Sequence, residues 1–95
     1  MSLKTYPFDP TRYLDSDEAI AGFMEEAFET GDSAFITHAF GVVARARGMT
    51  QIAKDAGLSR ESLYRALGEG GNPEFATVLK VAKALGLRLT AVAAE

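Results

Sequence analysis

Two short helical segments on either side of a Gly-Leu-Ser turn constrain this chain more than any other feature. Residues 50–56 and 60–67 both carry apolar side chains at helical spacing, and Gly57-Leu58-Ser59 lies between them. Gly57 tolerates the positive φ that a sharp turn between crossed helices requires. Thr50 is a candidate cap for the first helix, and Ser59 is suited to cap the second. The small side chain of Ala53 allows the two helices to approach closely. We therefore predict two crossed helices joined by a three-residue turn.

The outward side of this helix pair has the residue chemistry of a DNA-reading surface. We expect Arg60 and Arg65 to chelate guanine O6 and N7, and Glu61 to accept a hydrogen bond from cytosine N4. Side chains at helix starts bond phosphate oxygens together with nearby backbone N–H groups. A helical hairpin whose polar side is merely solvated has the same pattern. The candidate DNA-binding residues are Thr50, Gln51, Ser59, Arg60, Glu61, Ser62, Tyr64 and Arg65.

Helical spacing also predicts two helices before this segment. The first should run from about residue 16 to residue 30, where Asp15 followed by Glu18 resembles a capping box. Gly31 is suited to end it, and Asp32 is suited to cap a second helix that ends near Arg47.

A further helix is expected after the helix pair. A polar loop over residues 68–72 leads to Pro73, which is tolerated at a helix start. Gly86 should terminate this helix, whose apolar stripe includes Phe75 and Leu79. Beyond it, Leu87, Leu89 and Ala91 alternate with other residues in a short strand pattern.

Together these elements predict an all-α fold of about five helices with a possible short C-terminal β-strand. No internal repeat, low-complexity tract or interdomain linker is visible, so we expect a single domain over residues 1–95. Within it we expect an extended N-terminal arm (1–15), two N-terminal helices (16–48), a helix-turn-helix region (49–87) and a C-terminal tail or strand (88–95).

The charge is divided unevenly along the chain. The formal net charge is −3, yet residues 1–40 hold two basic and eight acidic side chains, whereas residues 41–95 hold eight basic and five acidic ones. Such asymmetry is typical of two surfaces with different partners, the basic one suited to phosphate and the acidic one to a basic protein. Solvated helix faces would give the same division.

The composition argues against metal, disulfide and catalytic chemistry. The chain has no cysteine, and its one histidine, His38, is expected to be structural, so we expect no metal, no cofactor and no catalytic residues. Glu25 and Glu29 lie four residues apart but lack further ligands, and an acidic solvated face is the simpler interpretation. No apolar run approaches the length of a membrane span, and a cytoplasmic location is the expectation.

Several motifs resemble known DNA-binding and antitoxin families. Residues 49–87 are similar to the phage-repressor, or lambda-repressor-like, type of helix-turn-helix domain, with a Thr-Gln helix start, Ala-x-x-x-Gly-Leu-Ser, and a late Asn-Pro before a helix ending in Leu-Gly. Residues 6–93 resemble the addiction-module antidote proteins. That likeness rests on Phe8-Asp9, Tyr13-Leu14-Asp15, Ala44-Arg45-Ala46-Arg47-Gly48-Met49, Gly57-Leu58-Ser59-Arg60-Glu61-Ser62-Leu63-Tyr64 and Gly71-Asn72-Pro73.

The resemblance implies an antitoxin that neutralises a toxin of the RelE/ParE superfamily and represses its own operon. A departure is His38-Ala39-Phe40-Gly41, where an alanine-leucine pair before the glycine is commoner, and this affects helix packing rather than function. The expected partners are a double-stranded DNA operator, a cognate toxin and a second copy in a homodimer. A free-standing transcriptional regulator without a toxin is the alternative, and an interaction module that has lost DNA binding is a third interpretation.

Overall fold

The computed structural model describes residues 14–94, and over these residues the fold is all-α. It contains five helices and no strand in that range. The elements are α1 (Asp17–Glu29), α2 (Ser33–Arg47), α3 (Met49–Ala56), α4 (Arg60–Leu67) and α5 (Phe75–Ala84). The number and order of the helices match the sequence prediction, while the expected arm over residues 1–15 lies almost entirely outside the described residues.

Helices α1 and α2 form a hairpin whose ends are set by capping side chains. The cap of α1 is Ser16, whose hydroxyl accepts a hydrogen bond from the backbone N–H of Ala19 at 3.1 Å. The capping box expected from Asp15 and Glu18 is therefore wrong, because the cap lies one residue later and Ala19 occupies the position that a capping box gives to glutamate. Asp32 caps α2 as predicted, accepting from the N–H groups of Ala34 and Phe35. Capping satisfies donors that have no partner within the helix.

The other end of the hairpin is closed by an ion pair between its two helices. Arg47 in the last turn of α2 donates to the carboxylate of Asp17 in the first turn of α1. The Asp17 side chain is 70% exposed, so this contact contributes at most about 1 kcal/mol. The same carboxylate lies next to Gly86, just beyond α5, so the start of α1 meets the ends of both α2 and α5.

One apolar core is shared by all five helices. Its largest fully buried side chains are Phe40, Leu14, Ile20, Leu63, Val43 and Val81. Phe28 of α1 packs edge-on against Phe40 of α2, with ring centroids 6.0 Å apart. Because α3, α4 and α5 each contribute buried residues to this core, the N-terminal hairpin and the shorter helices pack as one body.

Helix α5 differs from its prediction at its start and on one face. It begins at Phe75 with Glu74 as the N-cap residue, so Pro73 precedes the helix rather than opening it. Phe75 is 70% exposed and Leu79 is 43% exposed, although both were expected in the apolar stripe. The buried face of α5 is formed instead around Val81, Ala82 and the following Leu85.

The predicted C-terminal strand is wrong for the described residues. Residues 87–94 have no regular secondary structure, although Leu87 and Leu89 are half-buried and Arg88 and Thr90 are exposed. The alternating pattern therefore reflects one side of an irregular tail packing on the core. A strand requires hydrogen bonds to a neighbouring strand, and residues 14–94 provide none.

Candidate nucleic-acid interface

The turn between α3 and α4 has the conformation that its sequence predicts. Gly57 adopts the left-handed region at φ 73°, which glycine accepts without steric cost. The N–H of Gly57 donates to the carbonyl of Lys54, and the N–H of Leu58 donates to the carbonyl of Ala53 at 2.8 Å. These bonds satisfy the last carbonyls of α3 and hold the two helices at a fixed junction.

The first turn of α4 is held by a pair of serines. The hydroxyl oxygen of Ser59 accepts from the backbone N–H of Ser62 at 2.9 Å, and the two hydroxyls are bonded to each other at 2.8 Å. Ser59 is therefore the helix cap that the sequence predicts. Both hydroxyls are engaged in fixing this helix start, while Ser59 itself remains exposed.

Helix α4 has one buried and one exposed face. Leu63 is fully buried and Leu67 is 3% exposed, so these two side chains attach the helix to the core. The structure brings four of the predicted site residues to the solvent side: Arg60, Glu61, Tyr64 and Arg65 are all exposed, while Ser62 is half-buried. A short helix fixed on one side presents a row of polar side chains on the other.

Arg60 and Tyr64 form a preorganised pair on that exposed face. The guanidinium of Arg60 donates to the Tyr64 hydroxyl at 3.3 Å, and its central carbon lies 5.2 Å from the centre of the Tyr64 ring. A cation over an aromatic face at this distance gains about 0.5–1 kcal/mol at an exposed site. The ring thereby restricts the orientation of Arg60 relative to the helix.

The start of α3 is not capped by Thr50, contrary to the expectation for that residue. The N-cap position is Gly48, two residues earlier, and the helix begins at Met49, whose side chain is 5% exposed and belongs to the core. Gly48, at φ 110°, is the single residue between α2 and α3 and makes no side-chain cap. Thr50 and Gln51 are both exposed in the first turn of α3, and the Gln51 amide donates to Asp55 at 2.9 Å.

A shallow groove of about 410 Å³ runs beside α4, and the sequence did not predict it. It lies between α4 and the start of α5, with Ser62 and Arg65 on one side and Thr77 on the other. Residues 69–74 of the loop between the two helices also line it. A Cβ on Gly71 would stand 2.2 Å from the carbonyl oxygen of Ala66, so only glycine allows this loop to pack on α4. Gly68, Gly70 and Gly71 are the sequence feature from which a close approach of this loop to α4 could have been predicted.

Over residues 14–94, no three His, Cys, Asp or Glu side chains gather closely enough to hold a metal ion. Among the helices of the same residues, none is long and apolar enough to cross a membrane.

Almost the whole chain matches one known protein family. The family described as probable addiction module antidote protein matches residues 4–93. The chain belongs to this antidote family. An uncharacterized protein of Haemophilus influenzae is 51% identical to this antidote protein over 81 residues, which cover 85% of this chain and 84% of the relative. No solved structure matches this chain.

Membership in the family gives this antidote protein the general role of an antitoxin, and the family implies a cognate toxin as partner. The match extends across both the N-terminal hairpin and the α3–α4 pair, so both parts belong to what the family shares. The resemblance to antidote proteins noted in the sequence is thereby confirmed.

Proposed function

We propose that this antidote protein binds its own operator with α4 in the major groove, represses its operon, and neutralises a toxin of the RelE/ParE superfamily. In this proposal α3 and α4 are a helix-turn-helix of the phage-repressor type. Thr50, Gln51 and Ser59 contact phosphates, and the residues along α4 contact bases.

The exposed face of α4 is the observation that carries the proposal. Arg60, Glu61, Tyr64 and Arg65 are exposed on a helix whose other side is locked in the core by Leu63. Major-groove readers use a helix of this kind, with arginine as the commonest specific donor to guanine.

The charge of the surrounding part of the chain supports DNA binding as well. Residues 41–94 carry eight Lys or Arg side chains and four Asp or Glu side chains. Phosphate neutralisation by such cations supplies much of the affinity of DNA-binding proteins. The overall negative charge is therefore no obstacle, because the negative side chains are concentrated elsewhere.

A homodimer on a two-fold symmetric operator is part of the same proposal. Helix α4 has only eight residues, so one copy reads only a few base pairs. Two copies related by a two-fold axis would read two half-sites about 34–36 Å apart, or a multiple of that distance. Recognition by both copies multiplies the specificity that one helix achieves.

For the toxin contact we propose the tip of the α1–α2 hairpin. Residues 14–40 carry seven carboxylates and no Lys or Arg side chain. Two aromatic side chains at this end, Phe28 and Phe35, are 41% and 46% exposed. We call the group Glu25, Glu26, Phe28, Glu29, Asp32 and Phe35 the acidic tip. A toxin that handles RNA is expected to be basic, so this surface complements it in charge and offers apolar anchors.

A titration with upstream DNA tests the operator half of the proposal. Labelled DNA from the region upstream of the gene is titrated with the protein at fixed salt, beside a scrambled duplex of equal length. We expect the native duplex to bind at least about 10³-fold more tightly than the scrambled one. Equal affinity for both duplexes would contradict sequence-specific binding.

Co-purification tests the toxin half. The protein is tagged in its native operon and its partners are identified by mass spectrometry. We expect a small basic protein encoded beside the gene, and co-expression should restore growth of cells producing it. A free-standing regulator would retain operator binding in the first experiment and yield no such partner in the second.

A further inference from the structure

Tyr64 contacts the guanidinium of Arg60 from one turn further along α4. The guanidinium donates to the Tyr64 hydroxyl at 3.3 Å, and its central carbon lies 5.2 Å from the centre of the ring. Both side chains are exposed, and they are neighbours because residues four apart lie on one face of a helix. Two separate contacts to one ring therefore restrain a long side chain that is otherwise surrounded by solvent.

The second arginine on the exposed side of α4 is not held by this ring. Arg65 follows Tyr64 directly in the sequence, and adjacent residues on a helix do not face each other. Arg65 is exposed, but the ring and its hydroxyl contact Arg60 instead. Helix α4 thus carries two exposed arginines of which Tyr64 restrains one, and this provides an internal comparison.

We propose that Tyr64 is a positioning residue, which holds Arg60 in the orientation that reads one guanine of the operator and does not itself read a base. The inference rests on the proposed operator binding by α4. It adds the residue on which discrimination at the Arg60 base position depends.

The contact with Tyr64 leaves Arg60 enough donors to bind a guanine. A guanidinium has five N–H donors in one plane, and its Nη2 atom carries two of them. One donor of Nη2 is used by the Tyr64 hydroxyl, so the other remains beside those of Nη1. Two parallel N–H groups of this kind are what guanine O6 and N7 accept in the major groove.

A restrained arginine should discriminate between bases more strongly than a mobile one. An arginine side chain loses rotamer freedom when it binds, and Arg60 has lost part of that freedom before it meets DNA. A mobile guanidinium could also turn to another acceptor when its guanine is replaced. A restrained one would keep unsatisfied donors facing the wrong base, which is unfavourable.

The test measures the affinity of the full chain for the native operator and for its single-base variants at fixed salt. The Arg60 base position is the one at which Arg60→Ala loses discrimination, and Arg65→Ala defines the Arg65 position in the same way. Tyr64→Leu removes both contacts and should lower discrimination at the Arg60 position about fivefold. Tyr64→Phe keeps the ring and should lower it less. Discrimination at the Arg65 position should be unchanged in both variants.

A double variant separates positioning from direct reading. If Tyr64 acts through Arg60, adding Tyr64→Leu to Arg60→Ala should change discrimination no further at any base position. If Tyr64 reads a base itself, Tyr64→Leu should lose discrimination at a second position, with or without Arg60. That second result would overturn the inference.

Nuclear magnetic resonance of the free protein gives a measurement that needs no DNA. The ring current of Tyr64 should displace the side-chain proton shifts of Arg60 in the wild type and in Tyr64→Phe. In Tyr64→Leu this displacement should disappear, while circular dichroism shows that α4 is still folded. Identical Arg60 shifts in the wild type and in Tyr64→Leu would overturn the inference, because the ring would then not hold the guanidinium in solution.

The DNA measurements also distinguish this inference from the proposed function. Equal affinity of the wild type for native and scrambled duplexes contradicts operator binding, and the inference fails with it. Specific operator binding with unchanged discrimination in Tyr64→Leu overturns the inference alone. An even loss of affinity for all duplexes in Tyr64→Leu would also overturn it, because that result indicates a general structural role or a phosphate contact.

Discussion

Gly41 of α2 lies directly against the backbone of Leu67 at the end of α4. A methyl group on Gly41 would stand 3.0 Å from the carbonyl oxygen of Leu67 and 3.7 Å from its Cβ. That oxygen belongs to the backbone and cannot swing away as a flexible side chain would. The absence of a side chain at residue 41 thus sets how closely α4 approaches the N-terminal hairpin.

Two glycine-to-alanine substitutions should therefore have opposite effects on stability. Gly41→Ala is expected to destabilise the protein by about 1 kcal/mol or more, because crowding exceeds the gain in helix propensity. Gly22→Ala, inside α1 with no atom within 4 Å of its Cβ position, should stabilise it by about 0.4–1 kcal/mol. Urea unfolding measures the change in the free energy of unfolding for each variant. Equal changes would show that the α2–α4 contact relaxes to accommodate the added methyl group.

Substitutions of Ser59 should separate capping from DNA binding. Ser59→Ala removes the cap of α4 and should cost about 1 kcal/mol, which lowers Tm by about 4–8 °C in a domain of this size. Ser59→Asp keeps the cap, since aspartate caps as well as serine, but adds a negative charge at the surface expected to meet phosphate. Its Tm should stay near the wild-type value while operator affinity falls, most strongly at low salt. Wild-type affinity in Ser59→Asp would place the DNA elsewhere.

The arginines of α4 should determine sequence preference. Arg60→Ala and Arg65→Ala are each expected to cost about 1–3 kcal/mol of operator affinity and to relax discrimination at one base position. Gel-shift titrations at fixed salt against the native operator and single-base variants measure both effects. Toxin neutralisation in a growth assay should be unchanged.

Gln51→Ala is the control for those variants. Loss of a positioning contact should weaken binding evenly across sequences, and the salt dependence should barely move because Gln51 carries no charge. If both arginine variants bound the operator as tightly as the wild type, α4 would not be the reading helix. If either folded variant lost neutralisation as well, toxin and DNA would share this surface.

Neutralising the acidic tip should slow toxin association. Glu25, Glu26 and Glu29 are exposed, and converting all three to glutamine keeps their shape while removing their charge. We expect the association rate to fall about tenfold at low salt and the difference to shrink at high salt. Glu69→Gln, an exposed carboxylate in the loop after α4, is the control and should leave the rate unchanged. Equal rates in stopped-flow mixing would exclude the acidic tip as a steering surface.

Point substitutions are preferable here to removing the N-terminal part of the chain. Deleting residues 1–30 would also remove Ile20, Met24 and Ala27, which are buried in the common core. The loss of so much apolar contact would unfold the hairpin and confound any effect on the toxin.

The features predicted correctly from the sequence depend on local chemistry. Gly57 and Gly86 adopt positive φ, and Ser59 and Asp32 cap their helices, because each of these roles is decided by the residue and its immediate neighbours. Helix number follows from the spacing of apolar residues in the same way. The outward position of Arg60 on α4 also follows, since Leu63 and Leu67 fix the opposite face.

The features that were missed depend on packing between distant segments. Met49 is buried in the core within the first turn of α3, and the cap position is Gly48, two residues before Thr50, which therefore has no capping role. Leu87 and Leu89 alternate like a strand because one side of the tail rests on the core. The exposure of Phe75 depends on where α5 sits on its neighbours, which residue spacing within one helix does not reveal.

The unequal charge of residues 14–40 and residues 41–94 affects how the molecule rotates as it approaches a charged partner. A body that is negative on one part of its surface and positive on another carries an electric dipole moment, and a duplex exerts a torque on it within about one Debye length. In the proposed function this dipole would turn the basic residues toward DNA and the acidic residues toward a basic toxin. The two encounters would then differ in the orientation of the molecule before any side chain makes contact.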